Sequence, residues 1–363
     1  MRKICFIQYD MSLGTGGGRV CTNLANTFCK KDFQIHILSI FGKGEELKFR
    51  LNSNVKYDFL FSSNKRIRDV VFEGNLKVRK YLKENKIDDV LVIGISAIPF
   101  LVFSSNLRNV KIILCEHTNS INPLINNRSQ KVCRYMGVKL SDKIITLTKT
   151  DRDAYIQKFH LKPQNVSFIH NWIDSSLLDK DFNYNSSSKR IISAGRVESL
   201  KGIEKIIEVS RKLSQKYPDW QWHIFGTGTE EYVNMIKEKI EMYGLQEFVI
   251  LKGNADDLYE RYREYSMFVL LSYTEGLPMV LIEAKAKKLP LISFDCFTGP
   301  SEIIRDGIDG YLVPVDDIDF LYDRLDLCMS SEKHRVQLSN EAYGNIEKFS
   351  EDKILNDWLT ILK

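Results

Sequence analysis

Two glutamates bracket a helix start in "SYTEGLPMVLIEAKAKKLPLIS" (residues 272–293): Glu275 precedes a Gly-Leu-Pro turn, and Glu283 falls inside the helix that follows. Pro278 suits the first helical position, so the amides of Gly276, Leu277 and Met279 are candidates for the donors that a helix start leaves without intrahelical partners. With Met279 as origin and about 100° per residue, Glu283 lies at roughly 40°, on the apolar side beside Met279, Ile282 and Ala286. A carboxylate there needs partners. One reading is a surface pair with Lys287 at i, i+4, worth about 0.3–0.5 kcal/mol. The other is a ligand, because carboxylates accept hydroxyls while free amides face a phosphate, which together suit a polyhydroxylated anionic molecule. Glu275 favours the ligand, since it follows a strand at the edge where open parallel sheets bind small molecules.

Cations stand at the same kind of position. "SAGRVESLKG" sets Arg196 just beyond a strand and Lys201 five residues on, before a helix. Arginine grips a diphosphate through two parallel hydrogen bonds and lysine adds a compact charge. Solvated loop cations are the plain alternative for either residue alone. "MSLGTGGGRV" (residues 11–20) follows the first apolar strand and precedes a helix expected to begin near Arg19. Its glycines let backbone amides approach an anion. It is not a clean G-x-G-x-x-G, and no acid ends the second strand to hold a ribose, which weakens a nicotinamide-dependent reading. His117, after another strand, is by itself either a hydrogen-bonded structural residue or a functional one.

These residues need a frame. "KICFIQY", "QIHILSI", "DDVLVIGIS", "VKIILCEHT" and "DKIITLT" are short apolar runs separated by helical periodicity, and the alternation restarts with "RIISAGR", "WQWHIFG", "FVILKG", "MFVLLS", "PLISFD" and "GYLVP". The pattern predicts an α/β protein with two doubly wound parallel sheets, each Rossmann-like, facing a cleft. Domains are expected over residues 1–182 and 190–345, joined through the polar "NYNSSSKR". A helix over 350–363, capped by Ser350, is expected to pack back on the first domain.

The 363 residues suit two such domains. Residues 1–170 hold 28 Lys/Arg against 14 Asp/Glu, and residues 171–363 hold 24 against 33. The first half therefore wants an anionic partner. Its basic segments are interleaved with Ile67, Val70, Val71, Tyr81, Tyr135 and Met136, and two readings compete: solvated helix faces, or attachment to an anionic inner-membrane surface. No nucleic-acid recognition module is present. Seven scattered cysteines without a C-x-x-C pair indicate neither a disulfide framework nor a zinc site. No leader peptide or membrane-spanning run is read, so a cytoplasmic protein is expected.

Taken together, "EGLPMVLIEA", "GTGGGRV", "GRVESLKG", "TGPSEIIRDGIDGYLVP" and "CEHTN" resemble the motifs of retaining GT-B glycosyltransferases of family 4, along nearly the whole chain. The resemblance implies that Arg196 and Lys201 bind the diphosphate of a nucleotide sugar, with UDP the expected nucleotide, and that Glu283 holds the ribose hydroxyls. It places Glu275 at the donor sugar with the amides of Gly276 and Leu277, the Gly16 and Gly17 amides at the diphosphate, and His117 across the cleft at the sugar. Asn254 is implied only loosely as a base contact. Thr15 and Thr227 depart from the pattern and put local geometry in question. The implied reaction transfers a hexose or N-acetylhexosamine, with retention, to a glycan or lipid-linked glycan acceptor in surface polysaccharide synthesis. No cofactor is expected, and no metal either: the D-x-D pairs Asp151/Asp153 and Asp317/Asp319 stand away from the cation pair. Rival readings are a UDP-sugar 2-epimerase of similar fold and a non-catalytic nucleotide-sugar-binding protein.

Overall fold

The structure, a computed structural model, describes the chain except residues 44–46, 64, 108, 121–123, 125–126, 179–181, 256 and 363, and the side chain of 176. It divides into two compact units, Met1–Ile169 and His170–Ile361.

In the first unit the described strands are β1 (Arg2–Asp10), β2 (Phe33–Gly42), β3 (Lys56–Ser62), β4 (Asp89–Ile93), β5 (Lys111–Glu116), β6 (Lys143–Thr146) and β7 (Val166–Phe168). They pair in the order β3-β2-β1-β4-β5-β6-β7, every pair parallel. Central strands are buried on both faces, which is why Ile4 to Ile7 and all of β4 read as continuous apolar runs rather than as alternation. The edge strand β3 carries a mixed pattern and gives a weaker signal in the sequence. Helices α1 (Gly16–Phe28), α2 (Ile67–Glu84), α3 (Arg128–Leu140) and α4 (Lys149–Phe159) make the connections, with a short turn of helix, Ile95–Phe100, after β4.

The second unit repeats the plan. Its described strands β8 (Arg190–Ala194), β9 (Gln221–Phe225), β10 (Val249–Gly253), β11 (Met267–Leu270), β12 (Leu291–Phe294) and β13 (Gly310–Val313) pair in the order β10-β9-β8-β11-β12-β13, again all parallel. In each sheet the strand order reverses direction once: between β1 and β4, and between β8 and β11. Loops leaving the carboxyl ends of those neighbours diverge and open a crevice, so the two reversal points are where ligands are expected. Around the second sheet, α5 (Ile203–Lys216) buries Ile203, Ile206, Ile207, Val209 and Leu213 on one face. α6 (Glu230–Met242) and α7 (Leu258–Arg261) follow, and α8 (Met279–Ala286) is buried along Leu281 to Ala286. The C-terminal helix Glu351–Leu362 begins at Ser350, whose Oγ accepts from the Lys353 amide at 3.4 Å. All seven cysteines are unpaired. No helix of the described residues is long and apolar enough to cross a membrane.

Candidate functional site

At the reversal point of the second sheet, β8 delivers Gly195 and Arg196, a turn of helix carries Lys201, and β11 runs into the loop that ends at Glu275. Neighbouring parallel strands thus bring residues 74 positions apart into contact: Lys201 Nζ lies 2.6 Å from Glu275 Oε1, both side chains partly covered. Arg196 and Lys201 line one pocket with Ala194, Gly195, Ile203 and Leu271. The Arg196 side chain is 77% exposed and, among the described residues, its guanidinium is paired with Glu198 at 2.9 Å, an exposed contact that it can exchange for an anion. Gly202 makes the approach possible. Its φ is +65°, and a Cβ there would lie 2.1 Å from the Leu271 carbonyl oxygen.

The Glu275 loop is built to present donors. Among the described residues the amides of Gly276 and Leu277 have no protein acceptor, and the buried hydroxyls of Ser272 and Thr274 have no partner. Thr298 Oγ1 donates to the Glu275 carbonyl at 2.6 Å, and Gly299, at φ +101°, packs so tightly that a Cβ would stand 2.5 Å from Pro278 Cδ and 3.0 Å from the Gly276 oxygen. Pro278 is the N-cap residue and α8 starts at Met279, one position later than its sequence predicts. Glu283, 3% exposed, accepts from the Tyr259 hydroxyl at 3.1 Å and more loosely from Tyr262 at 3.4 Å. The helix carrying it is anchored by a buried ion pair, Lys285 Nζ to Asp309 Oδ2 at 2.6 Å, both side chains fully covered. Asp309 also accepts from Arg305 Nε at 2.7 Å and from the Arg305 amide at 2.9 Å. Burial lowers Lys285 to about 8, against the opposing pull of Asp309.

The first unit offers two features, one after β1 at its own reversal point and one after β5, the strand beside β4. Thr15, which departs from the glycine-rich pattern, serves as N-cap: its Oγ1 accepts from the Gly18 amide at 3.2 Å, so α1 begins at Gly16 rather than near Arg19. The Gly16 and Gly17 amides are left without a protein acceptor among the described residues. After β5, the segment from Glu116 to Ser120 hangs on a buried polar network. Glu116, 1% exposed, pairs with Arg134 Nε at 2.9 Å, and its Oε2 accepts from the Tyr155 hydroxyl at 2.6 Å. Oε1 takes the Thr118 amide at 3.0 Å, and Arg134 donates to Thr118 Oγ1 at 2.7 Å and to the Asn119 carbonyl at 3.4 Å. This clamp fixes the backbone on both sides of His117, which is partly covered. Burial holds its imidazole at about 4, opposed by the Glu116 carboxylate, so the ring is neutral at ordinary pH.

The residues picked from the sequence therefore fall into groups. Lys201, Glu275, Arg196 and the Gly276 and Leu277 amides are neighbours in one unit, with Glu283 on the helix that the same loop opens. Asn254 is exposed, immediately past β10, two strands from β8. Thr227 is structural through its backbone, its carbonyl accepting from the Val197 amide at 2.9 Å. The D-x-D acids are engaged elsewhere: Asp151 is buried and accepts from the Ser120 amide at 3.0 Å, Asp317 caps a helix at the Phe320 amide at 2.9 Å, and Asp319 meets Lys212 at 3.1 Å. Three functional supports went unread in the sequence: Tyr259 and Tyr262 behind Glu283, the Lys285–Asp309 pair beneath it, and the Glu116–Arg134–Tyr155 clamp. Tyr259 and Tyr262, at i, i+3, were legible as one helical face, but nothing marked its destination.

Comparison with known proteins gives a consistent result. Residues 174–345 match the family model for glycosyl transferases group 1, and residues 14–177 match that for glycosyltransferase family 4. Over 367 residues, covering both chains completely, the sequence is 30% identical to an uncharacterized glycosyltransferase of Haemophilus influenzae. It is 28% identical over 369 residues, again covering both chains completely, to the amylovoran biosynthesis glycosyltransferase AmsD of Erwinia amylovora. The fold matches a crystal structure of a Staphylococcus aureus TarM mutant in complex with fondaparinux, alpha-GlcNAc-glycerol and UDP, with a TM-score of 0.82 over 99% of each chain and 17% identity. That likeness establishes the two-sheet GT-B architecture.

Proposed function

Since the chain belongs to glycosyltransferase family 4 and is a GT-B enzyme of that family, we propose that its second unit binds a UDP-linked hexose or N-acetylhexosamine at the reversal point between β8 and β11. The observation that carries this reading is the 2.6 Å contact of Lys201 with Glu275, beside the pocket lined by Arg196 and beneath donor amides that have no protein acceptor among the described residues. In this structure the acid holds the lysine in place. With donor bound, Lys201 and Arg196 meet the diphosphate, the Gly276 and Leu277 amides add backbone dipoles, and Glu275 turns to the sugar hydroxyls. Glu283, oriented by the two tyrosines, accepts the ribose hydroxyls. His117 and the Gly16 and Gly17 amides keep the roles that the family pattern suggests, at the sugar and the diphosphate. TarM was crystallised with UDP, which supports UDP as the nucleotide here.

The reaction breaks the bond between the anomeric carbon and the diphosphate oxygen and forms one to an acceptor hydroxyl oxygen. Its proton passes to a phosphate oxygen of the departing UDP. Charge that develops on the leaving diphosphate meets two cations and backbone amides, so the stabilisation comes from preorganised protein groups. The acceptor is a glycan or lipid-linked glycan of surface polysaccharide synthesis, as the AmsD relationship suggests. A lipid-linked acceptor would be met at an anionic membrane surface, which suits the basic first unit. The test is turnover of a UDP-sugar panel, including slow donor hydrolysis, with and without EDTA. Lys201→Ala and Glu275→Ala are expected to lose turnover while chelation leaves it intact. Unimpaired variants overturn the site, and loss on chelation overturns metal independence.

A further inference from the structure

One surface of the first unit combines large apolar and basic side chains outside everything used above. α2 and α3 both pack on the Ile95–Phe100 turn. Gly74 of α2 lies so near Phe100 that a Cβ would stand 2.4 Å from its ring, and Gly137 of α3 so near Leu114 and Ile98 that one would stand 2.8 Å and 3.6 Å from them. Right-handed crossovers from β3 to β4 and from β5 to β6 put these helices on one face of the sheet. Their outer sides therefore share a surface.

Along α2, Arg68, Phe72, Leu76, Arg79 and Lys83 fall within about 40° of Phe72 on the helical wheel. Phe72 is 68% exposed and Leu76 50%. The chain after the turn adds exposed Val102 and half-buried Phe103, and the Phe103 ring meets Phe72 edge-on at 5.5 Å. Along α3, Arg128, Val132, Tyr135 and Lys139 form the matching stripe, with Val132 and Tyr135 each 57% exposed. Residues 65–86 hold eight basic against three acidic side chains, and residues 128–140 expose Arg128, Lys131 and Lys139 and hold no acidic residue, Arg134 being buried against Glu116. The three acids are neutralised locally: Glu73 by Lys77 at 2.7 Å, Glu84 by Lys80 at 3.7 Å, Asp69 by Arg68 at 3.5 Å.

We propose that this α2–α3 face docks on an anionic bilayer, with Phe72, Leu76, Val132 and Tyr135 entering the headgroup region and the surrounding cations meeting lipid phosphates. Aliphatic residues among the cations favour this over nucleic acid, whose backbone has no use for Leu76 or Val132. Excess positive charge disfavours a second copy of the same face, which would repel its mate. The inference rests on the reading that the acceptor is lipid-linked, and it adds which surface meets the lipid.

The experiment is cosedimentation of the full chain with phosphatidylcholine vesicles, with and without phosphatidylglycerol, beside slow UDP-sugar hydrolysis in solution. The chain is expected to bind only the anionic vesicles, less so in high salt. Phe72→Ser/Tyr135→Ser and Lys83→Glu/Lys131→Glu/Lys139→Glu are each expected to lose about tenfold or more of that binding with hydrolysis unchanged. Wild type that ignores both vesicles yet hydrolyses donor removes the membrane and leaves the enzyme reading standing. Wild type that binds anionic vesicles while both variants bind equally well moves the contact to another face and overturns the proposal. A dimer dissociated by Phe72→Ser/Tyr135→Ser replaces the membrane with a second copy and overturns it as well.

Discussion

Arg134→Met isolates the clamp behind His117. Glu116 is 1% exposed and Arg134 is equally covered, their contact is 2.9 Å, and the remaining donors to the carboxylate are Tyr155 and Thr118. Methionine fills similar volume but leaves a buried carboxylate without its cation, and breaking a buried pair in this way costs about 3–5 kcal/mol. With a urea dependence of about 2 kcal/mol per molar, the midpoint for the first unit falls by roughly 2 M. All four tryptophans, 172, 220, 222 and 358, lie beyond residue 169, so their emission reports on the second unit. Far-UV loss that precedes the tryptophan change then isolates the first. The double variant Glu116→Gln/Arg134→Met removes the orphaned charge and is expected to recover most of the loss, while turnover stays low because the segment around His117 is no longer fixed. A cost under about 1 kcal/mol for Arg134→Met, or a double variant no more stable than the single, would refute the clamp.

Three further outcomes follow from the geometry. Gly299→Ala introduces a Cβ 2.5 Å from Pro278 Cδ at φ +101°, a strain of about 1–3 kcal/mol that shifts the donor loop, so KM for the sugar nucleotide rises roughly tenfold with a modest fall in Tm. His117, held near 4 by burial, stays neutral above about pH 5, so kcat/KM should show no acid limb near 6.5; a limb there that disappears in His117→Gln contradicts this. Lys285 is lowered to about 8, so between that pH and its unfolded value the unfolded chain binds the extra proton and the native state gains stability as pH rises. The stability of wild type relative to Lys285→Met should therefore grow in favour of wild type, on the order of 2 kcal/mol, from pH 7 to 10 by denaturant titration.

Much of the architecture is written locally. Doubly buried strands such as β4 give unbroken apolar runs, and the edge strand β3, with its mixed pattern, does not announce itself. Glu275 and Lys201 could each be picked out because they follow strands, but their contact depends on β8 and β11 being neighbours, which only the sheet order supplies. Glycines at 16–18 read as a loop because of their low helix propensity; the Thr15 cap nevertheless starts the helix there, turning an apparent departure from the pattern into a structural role. Lys285 is the instructive miss. Nothing local marks a lysine two residues from Glu283 as buried, and only the approach of Asp309, from a loop 24 residues on, makes a fully buried cation tolerable. The Glu116–Arg134 pair, separated by 18 residues across a strand and a helix, is hidden for the same reason.

In the proposed site Lys201 and Glu283 hold a nucleoside diphosphate in the second unit, at the reversal point of its sheet. Calorimetric titration of UDP into wild type, Lys201→Met and Glu283→Gln tests it most directly. Each substitution is expected to weaken binding at least about tenfold, as loss of a charge-assisted contact to phosphate or ribose requires. UDP affinity unchanged in both variants, with both chains folded, would contradict the account.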